Sequence, residues 1–274
     1  MNSLRSLVVP ALAGVLSLPS FALAQDPTPD QVHPRTMLTL GFGIGDQDVE
    51  NNTGNVDAQN PPTGIIARST DAFHFRLRGE HFSERRFGIF VNAYLGKADD
   101  INKDLVPLGL GSADSSFDSV GLFIAASYRA TMGESFRLPI RFGPFLQKSE
   151  EEDATSTIGS IERSAVGVKL SAEPEYVISQ GMNNGEMTEI SAFVDVACGA
   201  GPAKVKADIG SEDGYAFTLN YEIGVRYRWG KWLAGLSWFA LKNHIGTTES
   251  YENAVFFGVD DDFTGIMLTG GVRF

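Results

Sequence analysis

Thr264-Gly265-Ile266-Met267-Leu268-Thr269-Gly270-Gly271-Val272-Arg273-Phe274 is the stretch that decides how the rest of the chain is read. Counting back from Phe274, every second residue is Val272, Gly270, Leu268, Ile266 and Thr264, and the residues between are Arg273, Gly271, Thr269, Met267 and Gly265. Period-two alternation with one apolar and one mixed face is the pattern of a β-strand. Its length is more informative than its alternation. A strand that crosses a bilayer needs about 9–11 residues, whereas a strand in a globular protein averages about five or six.

The stretch ends on an aromatic residue with no polar tail. It resembles the closing strand of bacterial outer-membrane β-barrel proteins, which end in Phe and whose assembly machinery reads that end. The resemblance makes Phe274 an assembly signal and implies outer-membrane lipid and lipopolysaccharide as surroundings.

The opposite end agrees. Arg5 supplies a positive start, Leu7–Leu18 an apolar stretch, and Ala22-Leu23-Ala24 a small-x-small cleavage site, the three parts of a signal peptide. Pro10 and Pro19, and a length short of about 20 residues, argue against a membrane helix there. Residues 1–24 are therefore expected to be removed after Ala24, leaving 25–274 as one outer-membrane barrel domain. No later apolar run has transmembrane-helix length, and in lipid the only β structure that satisfies its own backbone is a closed barrel.

Composition narrows the function classes. The net charge of −12 argues against nucleic acid, which calls for basic patches. The 30 Gly, 19 Phe, 7 Tyr and 3 Trp suit a β-protein with aromatic girdles. The lone Cys198 shares its face with Val194 and Val196 and reads as a small lipid-facing residue.

Nine further alternating segments precede the last: about Thr36–Gly45, Ala72–Phe82, Phe87–Gly96, Ser119–Thr131, Phe136–Lys148, Ser164–Ser179, Met187–Ala200, Tyr215–Trp229 and Trp232–Lys242. The connections between them alternate long and short, with Asp46–Asp71, Lys97–Asp118, Ser149–Arg163, Gly201–Gly214 and Asn243–Asp261 as the long ones. Short periplasmic turns and long outer loops are the asymmetry of outer-membrane barrels. The fold expected is all-β: a closed antiparallel up-and-down barrel of about ten strands, with eight or twelve still compatible. A secreted β-sandwich is the competing architecture. Pro139, Pro144 and Pro174 interrupt the fifth and sixth segments, and a missing N–H there predicts a bulge or bend.

Chemistry is thin. Omptin proteases, phospholipases and lipid A-modifying enzymes of the outer membrane use His with Asp or Ser. The four His here are His33, His74, His81 and His244. None has an acidic partner at a diagnostic spacing, and no Ser sits in a nucleophile motif. His244 with Asp260–Asp262 is the nearest approach to a rim site. Acid clusters Asp99-Asp100, Glu150–Asp153 and Asp260–Asp262 fall in predicted loops and are candidates at most for weak divalent cations. No catalytic residue, metal centre or cofactor is assigned, so the primary reading is non-enzymatic: a structural or surface-interaction barrel, or a narrow solute channel. The alternative is an outer-membrane hydrolase.

The inward faces carry the informative signal. Arg76, Arg78, Arg129, Arg137, Arg141, Arg226, Arg228 and Arg273 point in, as do Glu80, Glu173, Glu175, Glu189, Asp195 and Glu222. Charges inside a barrel either pair into a plug or line a wet pore, and about ten strands lies near the filled end of the size range. Arg76, Arg141, Glu173, Asp195 and Glu222 are placed at mid-height, where mixed signs can pair. Arg129, Arg137, Arg228 and Arg273 are placed in a mostly basic, partly hydrated periplasmic ring.

Overall fold

The computed structural model describes residues 36–53, 63–82, 86–104, 112–131, 135–153, 160–183, 185–207, 210–247 and 256–274. The signal-like segment and His33 lie outside these. The strands are β1 (Thr36–Thr53), β2 (Thr63–Phe82), β3 (Phe87–Asp104), β4 (Ser112–Thr131), β5 (Phe136–Asp153), β6 (Ile161–Ala172), β7 (Glu175–Asn183), β8 (Glu186–Ala207), β9 (Gly210–Trp229), β10 (Trp232–Thr247) and β11 (Phe256–Arg273).

Apart from β6 with β7, each strand pairs antiparallel with its sequence neighbours, and β1 with β11 closes the ring. Strands β6 and β7 occupy one position, since both pair with β5 on one side and β8 on the other. The barrel therefore has ten staves, one of them broken at Glu173-Pro174. The break lies beside the prolines that predicted it. Proline cannot donate to the ladder, and here the carbonyls still accept: the Glu173 N–H donates to Pro139 O at 3.0 Å and the Val194 N–H to Pro174 O at 3.0 Å. Pro144 stays within β5, on the outer face of the stave.

The outer wall changes character at one height. On β1, Leu40, Phe42 and Ile44 are exposed, followed by Asp46, Asp48 and Glu50 on the same face. Ile44 lies opposite Ile266 on β11, which lies opposite Trp238 on β10. Four residues further up, Asp48 lies opposite Asp262 and Asp262 opposite Lys242. Strand β5 switches from Leu146 to Lys148, and β8 from Val196 to Lys204. Large apolar side chains exposed all round a ring, ending together against charge, are the lipid-facing band of a transmembrane barrel. At the short-turn end, Phe87, Tyr176, Trp232 and Phe274 are exposed, forming the lower aromatic girdle.

Most of the connections expected to be long are strand instead. The 18 residues of β1, at about 3.3 Å each and a tilt of about 40°, rise on the order of 45 Å, against about 25 Å for the apolar band. Residues 201–207 and 210–214 extend the β8–β9 ladder, with Ala207 opposite Gly210. Above the lipid both faces are polar, so alternation vanishes from the sequence while the ladder continues. Hydrogen bonding to two neighbours sustains the strand without an apolar face.

Inside, small residues make room for large ones. A Cβ on Gly43 would come within 2.8 Å of the Phe239 ring, and one on Gly41 within 2.7 Å of Met267 Sδ. The inward glycines of β1 let these side chains from β10 and β11 lie against the β1 wall.

Candidate functional site

The interior is stacked in levels, and the lowest two are an ion-pair lattice. Nearest the short turns, Arg137 holds Glu189 with two bonds of 2.7 and 2.5 Å. It also lies 3.5 Å from Glu175. Arg228 reaches Glu175 at 2.7 Å and also pairs with Glu189. One level up, Glu173 accepts from Arg78, Arg141 and Arg226 together. Arg141 also holds Glu80 in a fork of 2.8 and 3.1 Å. Arg78 reaches Asp195 at 3.2 Å, and Arg76 grips Glu222 at 2.6 and 3.0 Å.

The six arginines that are paired here face six carboxylates, so the lattice is neutral. Serines complete it. Ser127 donates to Glu80, Ser191 to Glu175 and Ser237 to Glu222, each at 2.6 Å, and Ser171 donates to Asp195 at 2.9 Å. Guanidinium faces that lack donors rest on aromatic rings: Arg226 lies 3.6 Å from the Phe193 centroid, Arg141 4.3 Å from Phe90, and Arg129 3.8 Å from Phe82. Such stacking offsets part of the desolvation of a cation.

The residues placed at mid-height from the sequence, Arg76, Arg141, Glu173, Asp195 and Glu222, are brought together. The periplasmic ring departs from expectation. Arg137 and Arg228 are buried at 6% and 4% exposure and paired through their terminal nitrogens, because Glu175 sits below Glu173 on the far side of the Pro174 break and faces that ring. Arg129 is half-buried over Phe82, and Arg273 donates to Gly230 O at 2.8 Å. The aromatic supports and serines were legible only as inward parity. Lys169 was likewise on an inward face without being counted among the lumen charges.

Above the lattice lies an aromatic level. His74 stacks on Tyr94 at 5.1 Å and lies near Phe239 and Phe263 at 5.2 and 5.4 Å. Phe90 and Phe123 meet edge to face at 5.7 Å. An internal cavity of about 50 Å³ sits between these rings and the lattice, room for only a few water molecules.

The acid runs assigned to loops are divided by strand parity. Glu151 turns inward, 0% exposed, and bonds Arg163 at 2.6 Å. Asp261 turns inward to Gln47, whose Nε2 donates at 2.6 Å. Asp260 and Asp262 face out, bonded to His244 at 2.7 Å and Lys242 at 2.8 Å. Among the described residues no group of three or more His, Cys, Asp or Glu is arranged to hold a metal ion. The His244–Asp260 pair lies on the outer wall, with both side chains exposed. Among the described residues His81 bonds the Thr36 hydroxyl, at 2.8 Å.

Asp261 lies above the lipid band, and burial pushes its carboxyl up to about 6, outweighing the opposing pull of Arg163 and the bond from Gln47. A carboxyl raised in the folded state contributes stability at low pH that is lost as pH climbs through about 6. Acidification from pH 7 to pH 5 should therefore raise the unfolding midpoint of the wild type, and Asp261→Asn should remove that rise. Thermal unfolding of the detergent-folded protein at the two pH values checks it; an equal rise in the variant would place the effect elsewhere.

No family model matches this chain, and no curated protein matches it. Solved structures do. The outer-membrane protease OmpT of Escherichia coli has a TM-score of 0.55 at 7% identity, covering 93% of this chain and 100% of its own. The outer-membrane protein OprG of Pseudomonas aeruginosa has a TM-score of 0.41 at 11% identity, covering 88% and 97%. Ail, the attachment invasion locus protein of Yersinia pestis, has a TM-score of 0.28 at 10% identity, covering 88% and 99%. At such identities the likeness is one of fold. With its lipid-facing band, closed ten-stave ring and short-turn girdle, the chain folds as a bacterial outer-membrane β-barrel.

Proposed function

We propose that this barrel is a sealed, non-enzymatic component of the outer membrane, acting structurally or through its outer surface and not as a channel. The observation that carries the reading is the neutral lattice across the lumen. Its charged members come from β2, β5, β7, β8, β9 and the break at Glu173-Pro174, and Arg141 at its centre is 0% exposed. Ions cross where a lumen holds continuous water lined by charge; here the charges hold one another. The strands that rise past the lipid present a polar wall to lipopolysaccharide and the exterior.

A hydrolase needs a histidine paired with an acid or nucleophile where substrate can reach it. His74 is sealed among rings, His81 meets a threonine, and His244–Asp260 faces outward beside Lys242–Asp262 without a serine bonded to it among the described residues. Expression in a porin-deficient outer membrane should leave entry of small hydrophilic solutes unchanged. Restored uptake would overturn the reading in favour of a channel.

A further inference from the structure

We infer that the mid-lumen cavity is a binding site for one small monovalent anion, of halide size, held by Lys169. Lys169 is 5% exposed, and its ammonium lies 5.1 Å from the Phe145 centroid and 5.9 Å from Phe123. It makes no hydrogen bond or ion pair with any described residue. The carboxylate facing the same cavity, Asp195, is already occupied, accepting from Ser171 and Arg78. The six arginines and six carboxylates of the lattice cancel one another, so the lattice supplies Lys169 with no spare counter-charge. A buried cation without a counter-charge is costly, and ring faces offset only part of that cost.

Lys169 is not the only group left open. Asn92 keeps a buried carbonyl oxygen without a donor, and both ring nitrogens of His74, 2% exposed, lack partners. Tyr94 and Asn220 line the same space and make no side-chain hydrogen bond to a described residue. Buried polar groups are normally satisfied, so their convergence on one cavity marks it as occupied: an anion brings charge and lone pairs to the ammonium and to the N–H and O–H donors, and the waters beside it donate to the Asn92 carbonyl oxygen. The volume of about 50 Å³ holds one halide with two or three waters but no polyatomic metabolite. The ammonium supplies charge; the amides and phenol supply donors. The sealed lattice below and aromatic level above mean that the ion enters as the barrel folds and leaves slowly.

The test is to fold the full chain from urea into detergent with sodium bromide or sodium gluconate at equal ionic strength. The wild type should unfold on the order of 5 °C higher in bromide, and Lys169→Met should show no difference between the salts. Equal wild-type midpoints, or the same gain in Lys169→Met, would overturn the assignment, as would a cavity holding water alone. If Lys169→Met fails to fold, crystals of wild type grown in bromide decide. An anomalous peak beside the Lys169 ammonium supports the site, and none there refutes it.

Discussion

Replacing Glu173 with alanine should destabilise the folded barrel by about 3–5 kcal/mol, the cost of stripping a buried charge of its partner. The carboxylate is 2% exposed and serves Arg78, Arg141 and Arg226 at once. Its loss leaves three guanidinium groups sharing what remains: Glu80 and Asp195 within reach of Arg141, and Glu175 at 3.8 Å from Arg226. Glu173→Gln preserves shape but not charge and should fall between wild type and Glu173→Ala. The urea midpoint of the folded, fast-migrating gel species measures both. A midpoint unchanged in Glu173→Ala would mean that the three arginines do not depend on this group.

Arg228→Met gives the second large effect, about 3 kcal/mol by the same reasoning. Reading the sequence alone places Arg228 in a hydrated basic ring, where its loss would change little. The structure instead gives it bonds to Glu175 and Glu189 and a contact of 3.3 Å to Ser191 Oγ. Methionine keeps much of the volume, so the loss is chiefly electrostatic. Arg137 still serves both carboxylates, which keeps the effect below that of Glu173→Ala. Adding Glu189→Gln to Arg228→Met should cost less than the sum of the single changes, because the pair is coupled. Additivity within about 0.5 kcal/mol would show that the two do not act together.

The fold was legible because lipid imposes a simple rule. In Leu40, Phe42 and Ile44 against Gly41 and Gly43, or Phe217 to Trp229 against Thr218 to Arg228, one face meets hydrocarbon and the other the lumen, so period-two alternation identifies both the strand and its orientation. The rule lapses above the lipid. Lys148, Glu150 and Glu152 alternate with Ser149 and Glu151, polar on both sides, and the strand cannot be told from a loop. The ion pair of Glu151 with Arg163 and the burial of Asp261 were hidden for that reason.

Within the band, inward parity identified the lattice members but not who meets whom. The partners of Glu173 lie 95, 32 and 53 residues away, on three different staves. Which of them reach it depends on ring size and stagger, quantities that no local pattern carries. The placement of Glu175 in the periplasmic ring depends further on the Pro174 break. The prolines announced that break without saying which residues it would bring into the ring.

The most direct test of a lumen closed by its own neutral lattice is a planar-bilayer recording of the refolded wild-type protein. A sealed barrel predicts a flat baseline, with no unitary conductance steps in chloride or acetate salts across the voltage range the membrane tolerates. Reproducible steps of fixed size would contradict it, because a continuous aqueous path cannot coexist with Arg141 buried between Glu80 and Glu173.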